Sequence, residues 1–243
     1  MKLIDTYFLA IENLLGRVRE SDYEKIEAAG RAIAESVANG GCVHIHDTGH
    51  IIDSELINRG GGLILYKRLR YSLTVENPVR PRDRSEVAVS AAGLAAYALQ
   101  ASGALPGDVL ILGSVSGRNL PVVDLAIEAK KMGLTLIVIT SMAYTTQVPS
   151  DHPSGKRLFE LGDIVIDNCA PAAEAMLPVE GLEARFAAAS GISAAYIMWA
   201  VSAVVIEELL KRGITPGVLK SANFPGGVEF NAELARIYQE KGW

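Results

Sequence analysis

Apolar runs alternate along this chain with segments of helical apolar spacing, and this pattern predicts strands and helices in turn. Residues 108–113 and 134–140 are two apolar runs with the length of buried strands. The segment between them has helical spacing and ends at Gly133, so the three pieces together predict a βαβ unit. A polar loop of small residues, 114–118, separates the first strand from its helix.

The same order of strand, small polar loop and helix occurs earlier in the chain. A short strand over 42–46 precedes the loop 47–50, and a helix that contains Glu55 follows and ends at 59–62. Ligands of parallel sheets bind beyond the carboxyl ends of the strands, so both loops are candidate binding loops. Neither a Gly-x-Gly-x-x-Gly after a strand nor a Walker-type Gly-Lys-Ser is present, which removes the main support for a nucleotide site.

The loop 114–118 suits an anion such as phosphate. Unpaired backbone N–H groups and the positive end of the helix dipole meet there with the hydroxyls of Ser114 and Ser116 and the guanidinium of Arg118. In the alternative interpretation, the small residues only permit a tight turn, and Ser116 or Asn119 caps the helix. A second loop of the same kind favours the binding interpretation.

The rest of the pattern predicts further helices and strands. Helices are expected from Leu3, from a capping box at 21–24, over 85–102, from about 188 to 212 and from about 231, with strands at 63–69 and 164–167. Charged residues in 63–69 favour an edge strand. The segment 170–182 shows no clear period.

Composition supports one α/β domain over residues 1–243. Apolar residues make up 49% and aromatic residues only 6% of the chain, which is usual for helices packed on a parallel sheet. The formal charge of −5 argues against a nucleic-acid surface. Cys42 and Cys169 form no metal or redox spacing, so we expect a reducing, cytoplasmic location, no metal and no cofactor. The apolar run 191–206 is short for a membrane span, and we expect a buried core or interface helix there.

Two residues near the first loop are candidates for chemistry. Glu55 lies one or two turns into its helix, where a carboxylate suits a general base on a sugar carbon or hydroxyl. The alternatives are a solvated glutamate or an ion pair with Arg59 at i+4. Of the four histidines, His46 and His50 are the best placed, and His50 is the candidate for catalysis or ligand contact.

A long polar segment, 141–156, follows the second strand of the βαβ unit. His152 and Lys156 lie in it, and Arg157 follows. Loops of this length in a compact domain are usually functional or mobile. This basic segment either closes over an anion or is a solvated loop.

The residues quoted above resemble the sugar isomerase (SIS) domain, a phosphosugar-binding Rossmann-like fold. Residues 108–140 resemble its signature, and Thr48-Gly49-His50 resembles its first ligand loop. Residues 151–158 and 221–227 are similar to a bacterial subgroup of SIS-domain proteins related to phosphoheptose isomerases and N-acetylmuramic acid 6-phosphate etherases. The resemblance covers nearly the whole chain.

The resemblance implies a three-layer fold with a five-stranded parallel sheet between helices, and a homodimer or homotetramer with sites near the subunit interface. Helices within 1–40 would pack on the core or on the dimer partner. Phosphosugar contacts would come from the two loops: Thr48, Gly49, Ser114, Ser116, Gly117, Arg118 and Asn119.

For activity, the resemblance implies a glutamate base at Glu55, in an aldose–ketose isomerase or a related etherase. The isomerases also use a histidine from a late helix, and no histidine follows His152 in this chain. A phosphosugar sensor without catalysis is therefore the alternative function. No membrane partner is expected.

Overall fold

The computed structural model describes residues 2–48, 52–83, 85 and 93–243. Its main sheet has five parallel strands in the order β2-β1-β3-β4-β5. The strands are β1 Val43–Asp47, β2 Tyr66–Arg68, β3 Val109–Gly113, β4 Thr135–Thr140 and β5 Ile164–Asp167. The predicted five-stranded parallel sheet is confirmed, and β2 is an edge strand as its charged residues indicated.

Helices cover both faces of this sheet. They are α1 Leu3–Ala38, α2 Asp53–Leu56, α3 Leu94–Ser102, α4 Leu120–Met132, α5 Met142–Thr145, α6 Ser190–Lys211 and α7 Gly227–Lys241, with a 3₁₀ turn at Leu158–Glu160. Alternate residues of the strands point to opposite faces. Ile111 therefore packs with α1 and α6, whereas Leu110 and Leu112 pack with α3 and α4. Because both faces are covered, every residue of β3 is buried.

Residues Leu3–Ala38 form one helix, α1, and not the two helices that the capping box at 21–24 predicted. Ser21 does not cap a new helix, because its one hydroxyl hydrogen is shared between the Arg17 carbonyl, 2.9 Å from Oγ, and the Asp22 carboxylate, 2.6 Å from Oγ. Asp22 is 1% exposed and also accepts from Lys25 Nζ at 2.7 Å and from the backbone N–H of Asp167 at 3.1 Å. Asp22 therefore fastens the middle of α1 to β5.

Substitution of Asp22 by Ala is expected to lower the free energy of unfolding by about 1–3 kcal/mol, because the buried N–H of Asp167 loses its acceptor. Chemical denaturation of the variant measures the loss. Glu12→Ala, an exposed carboxylate on the same helix, is the control and should change stability by no more than about 0.5 kcal/mol. Equal stability of the two variants would contradict the role given to Asp22.

Two other boundaries differ from the sequence prediction, and one hairpin was not predicted. The helix predicted over 85–102 is described from Leu94, after Gly93 at φ 89°, and residues 86–92 lie outside the described part. The last helix begins at Gly227 and not near 231. Residues 170–188 contain an antiparallel hairpin, β6 Ala175–Leu177 with β7 Phe186–Ala188, that no sequence period predicted.

The apolar helix α6 is the core helix that its composition predicted. Of the described helices, it alone is long and apolar enough to cross a membrane, with a mean hydropathy of 1.6. It buries Ile197, Met198 and Val201 in the core that α1 shares. A Cβ on Gly30 of α1 would lie 2.5 Å from Val204 Cβ, so the glycine permits the close approach of the two helices.

Candidate ligand cleft at the carboxyl ends of the strands

A cleft of about 460 Å³ lies beyond the carboxyl ends of β1 and β3. Its walls come from the residues that follow these two strands, from α5 and from the start of α6. The lining residues are Thr48, Ser114, Val115, Ser116, Asn119, Tyr144, Glu174, Ala188, Ser190, Gly191 and Ile192. The structure thus brings together Thr48 of the first predicted loop with Ser114, Ser116 and Asn119 of the second.

The loop after β3 is held by its neighbours on the outside of the cleft. The carbonyl of Val115 accepts from Ser141 N–H at 3.1 Å and from Thr140 Oγ1 at 3.0 Å. Gly117 has a backbone φ of 57°, and its carbonyl accepts a hydrogen bond from Leu158 N–H at 2.8 Å. The backbone N–H groups of 116–119, in contrast, donate to no group that the structure describes. They remain available at the amino end of α4, where the helix dipole favours an anion.

Several polar side chains of the cleft also lack a partner in the described part of the chain. The hydroxyls of Ser114, Ser116 and Tyr144 and the amide of Asn119 form no hydrogen bond there, although Ser114 is only 2% exposed. Asn119 occupies the N-cap position of α4 without a side-chain cap bond, so the predicted capping role is not realised. These groups line the open cleft, so they are available to hydrogen-bond a polar ligand.

A second helix amino end contributes to the opposite wall. Ser190 begins α6 and donates through Oγ to Glu174 Oε1 at 2.5 Å, while Ala189 N–H donates to the Glu174 carbonyl at 3.2 Å. The carboxylate thus lies at the positive end of α6, where a negative charge is stabilised. The cleft combines free donors on one wall with an anchored carboxylate on the other.

The backbone that carries Glu174 is strained. Ala173 has φ 60° and Glu174 has φ 70°, and Ala187 on the facing strand has φ 66°. Residues other than glycine cost of order 1–2 kcal/mol each in this left-handed region, and such residues cluster at ligand sites. The strain indicates that the packing around the cleft fixes the position of Glu174 against the local preference of the chain.

Gly117 and Arg118 lie outside the lining of the cleft, unlike Ser114, Ser116 and Asn119. The Arg118 guanidinium pairs with Asp151, and the Arg118 carbonyl accepts from Asp151 N–H at 3.0 Å. His152 lies 3.7 Å from Asp124 of α4. Within the polar segment, Asp151 and His152 therefore contact the loop and α4 from outside the cleft, whereas Tyr144 lines it.

Of the first loop, only Thr48 is described at the cleft. Its Oγ1 donates to the Gly113 carbonyl at 3.2 Å, which joins the ends of β1 and β3. Gly49 and His50 lie outside the described residues. His46 lies at the end of β1, and its Nδ1 is 2.9 Å from the Leu69 carbonyl.

Glu55 does not line the cleft in this chain. Its carboxylate pairs with Arg59 one turn along the chain and is 38% exposed, which is one of the alternatives considered for it. The residues that sequence reasoning missed are Tyr144, Glu174 and Ser190. Glu174 lies in a segment without hydrophobic periodicity. Only its hydrogen bond with Ser190 at the start of α6, seen in the structure, indicates its position at the cleft.

Comparison with known proteins places the chain in a family. A model of the SIS domain matches residues 6–141, more than half of the chain, so the chain belongs to the SIS-domain family. Its relatives are called UPF0309 proteins. One from Streptomyces griseus is 37% identical over 242 residues, covering 99% of this chain and 96% of that protein. One from Listeria innocua is 34% identical over 241 residues, covering 98% and 95%.

Solved structures share the fold at low sequence identity. A phosphoheptose isomerase from Francisella tularensis superposes with a TM-score of 0.51 at 16% identity, over 85% of this chain and 100% of that one. The phosphoheptose isomerase from Neisseria gonorrhoeae gives 0.51 at 13% identity, over 84% and 96%. The resemblance to the SIS domain and its three-layer fold is therefore confirmed.

Proposed function

We propose that the cleft binds a phosphorylated sugar, with the phosphoryl group against the loop 114–119. The observation that carries this proposal is the convergence of free backbone N–H groups and free Ser114 and Ser116 hydroxyls at the amino end of α4. Such a set of donors suits a dianionic group better than a neutral one. The names of the two solved isomerases support a phosphosugar as the ligand.

The remainder of the cleft suits the sugar. A volume of about 460 Å³ lies within the usual range of small-molecule sites. The Tyr144 phenol and the Asn119 amide offer hydrogen bonds to hydroxyls, and Glu174 offers a carboxylate on the far wall from the loop. A ligand held at its phosphate end would then present its carbon chain to Glu174.

We propose aldose–ketose isomerisation or ether elimination as the reaction, with Glu174 as the base. Its carboxylate would remove the proton from the carbon next to the carbonyl. In isomerisation, the proton returns to the former carbonyl carbon while a proton moves between the two oxygens. In elimination, the same first step precedes loss of the ether substituent. Glu55 was the sequence candidate, and we transfer the role because Glu55 pairs with Arg59 while Glu174 lines the cleft.

A sensor without catalysis is the second candidate, and the composition of the lining favours it. Among the described lining residues, Glu174 is the one carboxylate and no histidine is present. The Ser190 hydroxyl also donates a hydrogen bond to the Glu174 carboxylate, with 2.5 Å between Oγ and Oε1, which fixes the carboxylate in place. Binding of a phosphosugar with no product after long incubation would identify the sensor.

Thermal unfolding with a panel of hexose and heptose phosphates tests the binding proposal. The right ligand at about 100-fold above its Kd should stabilise the protein by about 2.7 kcal/mol, and the unphosphorylated sugar should not. Ser114→Ala/Ser116→Ala should weaken binding by about 100-fold or more, because each lost hydrogen bond to a charged group is worth about 1.5 kcal/mol or more. Ser72→Ala, at an exposed serine, is the control. Unchanged affinity in the double variant would place the ligand elsewhere.

A further inference from the structure

A second and larger cleft lies beside the edge strand β2. It has a volume of about 660 Å³ and runs between the connection that follows α2 and the segment that leads into α7. It shares no lining residue with the cleft described above. Nothing in the proposed phosphosugar function uses it.

The walls of the second cleft are held firmly by backbone hydrogen bonds. Gly61 N–H donates to the Leu219 carbonyl at 2.8 Å, and Leu219 N–H donates to the Gly62 carbonyl at 2.9 Å. A Cβ on Gly60 would lie 2.9 Å from the backbone nitrogen of Ser221, so only glycine permits this approach. The walls of this cleft are therefore fixed by backbone hydrogen bonds and close packing.

The charged side chains that line this cleft are all cationic. Of its twelve described lining residues, three are cationic, Arg59, Lys67 and Lys220, and none is acidic, although the whole chain carries −5. Neither lysine forms an ion pair with a described residue. Arg59 pairs with Glu55, which does not line the cleft. A concave surface of one sign attracts the opposite charge.

Two aromatic rings of α7 hold the lysines in place. Lys67 Nζ lies 3.7 Å from the ring centroid of Tyr238, and Lys220 Nζ lies 4.0 Å from that of Phe230. Asn231 fixes the backbone of Lys220 through two hydrogen bonds of 2.9 and 2.8 Å. Cation–π contacts position an ammonium group without neutralising it, so both charges remain available to an anion.

Of the three cations in this cleft, Arg59 and Lys220 are exposed and Lys67 is partly buried. Lys67 is half-buried, and this burial lowers the pKa of its ammonium group. The Ser221 hydroxyl and the Asn223 amide line the same cleft and form no side-chain hydrogen bond to a described residue. The site thus offers fixed cations together with neutral donors, which is the donor set of an anion site.

We propose that this cleft is a second anion-binding site for a phosphate-bearing small molecule, held by Lys67, Lys220 and Arg59 with Ser221 and Asn223. The volume exceeds what a single phosphate ion requires and suits a larger phosphorylated compound. The site is independent of the proposed phosphosugar cleft, and the two are tested separately.

Calorimetric titration with inorganic pyrophosphate at fixed ionic strength tests the site. We expect Lys67→Gln/Lys220→Gln to weaken binding at this site about 100-fold, because two charged donors are lost. Lys2→Gln/Lys211→Gln removes the same charge from exposed positions outside both clefts and should leave binding unchanged. Ser114→Ala/Ser116→Ala should also retain this binding, since it alters only the other cleft. Equal affinity of the two lysine double variants would overturn the proposal.

A second measurement is made on the wild-type protein, and a charge-retaining variant serves only to assign the signal. The ammonium group of Lys67 can be followed by NMR of ¹³C-labelled lysine, with Lys67→Arg to assign the signal. A bound anion favours the charged form, so pyrophosphate should move the Lys67 titration to higher pH. A Lys67 titration that pyrophosphate leaves unchanged would overturn the proposal.

Discussion

Replacement of Glu174 by Gln is expected to lower kcat for the preferred phosphosugar by about 10²- to 10⁴-fold, the usual contribution of a general base. Gln keeps the size of the side chain and can still accept from Ser190 Oγ, but it cannot take a proton from carbon. Phosphosugar affinity should change by less than about tenfold, because the phosphate contacts lie on the opposite wall. Steady-state kinetics and a binding titration on the same variant separate the two effects.

Two variants serve as comparisons for Glu174→Gln. Glu183→Gln alters an exposed carboxylate in the same hairpin and should retain full activity. Glu55→Gln alters the glutamate that pairs with Arg59 and should reduce kcat by less than about tenfold, because that side chain does not line the cleft. A large loss in Glu55→Gln with full activity in Glu174→Gln would return the role of base to Glu55.

Replacement of Gly117 by Ala is expected to weaken phosphosugar binding by about 100-fold or more, because several hydrogen bonds to the phosphate depend on this loop. At φ 57° a side chain is strained, and the new Cβ would lie 3.1 Å from Leu158 Cβ and 3.3 Å from Thr140 Oγ1. The loop must then move, and the N–H groups of 116–119 move with it.

Gly155→Ala is the matched control for Gly117→Ala. Gly155 also has a positive φ of 70°, but a Cβ there would meet no atom within 4 Å. Both variants should lose about 1 kcal/mol of stability from the backbone strain, and only Gly117→Ala should lose binding. Equal binding by the two variants, measured by titration calorimetry, would contradict the role of the loop.

The sequence alone predicts the main sheet and about half of the residues that line the first cleft. The strands β3 and β4 are continuous apolar runs because both of their faces are covered, so their pattern is strong. The loop 114–118 follows directly from the βαβ unit, since a helix must begin near the end of the strand that precedes it.

The remaining features depend on contacts between distant parts of the chain. The attachment of the middle of α1 to β5 rests on Asp22, whose bond to Asp167 spans 145 residues. The hairpin that carries Glu174 is short, and its left-handed residues contradict local preferences. A local pattern holds no information on such contacts and therefore does not indicate Glu174. It indicates Glu55 because the helix of Glu55 follows a recognisable loop.

The most direct test of the account is a crystal structure of the protein with the phosphosugar that stabilises it most. We expect the phosphoryl oxygens to accept hydrogen bonds from the Ser114 and Ser116 hydroxyls and from N–H groups of 116–119, with the carbon chain facing Glu174. A phosphosugar whose phosphoryl group lies away from this loop, for example between Lys67 and Lys220 with the first cleft empty, would contradict it.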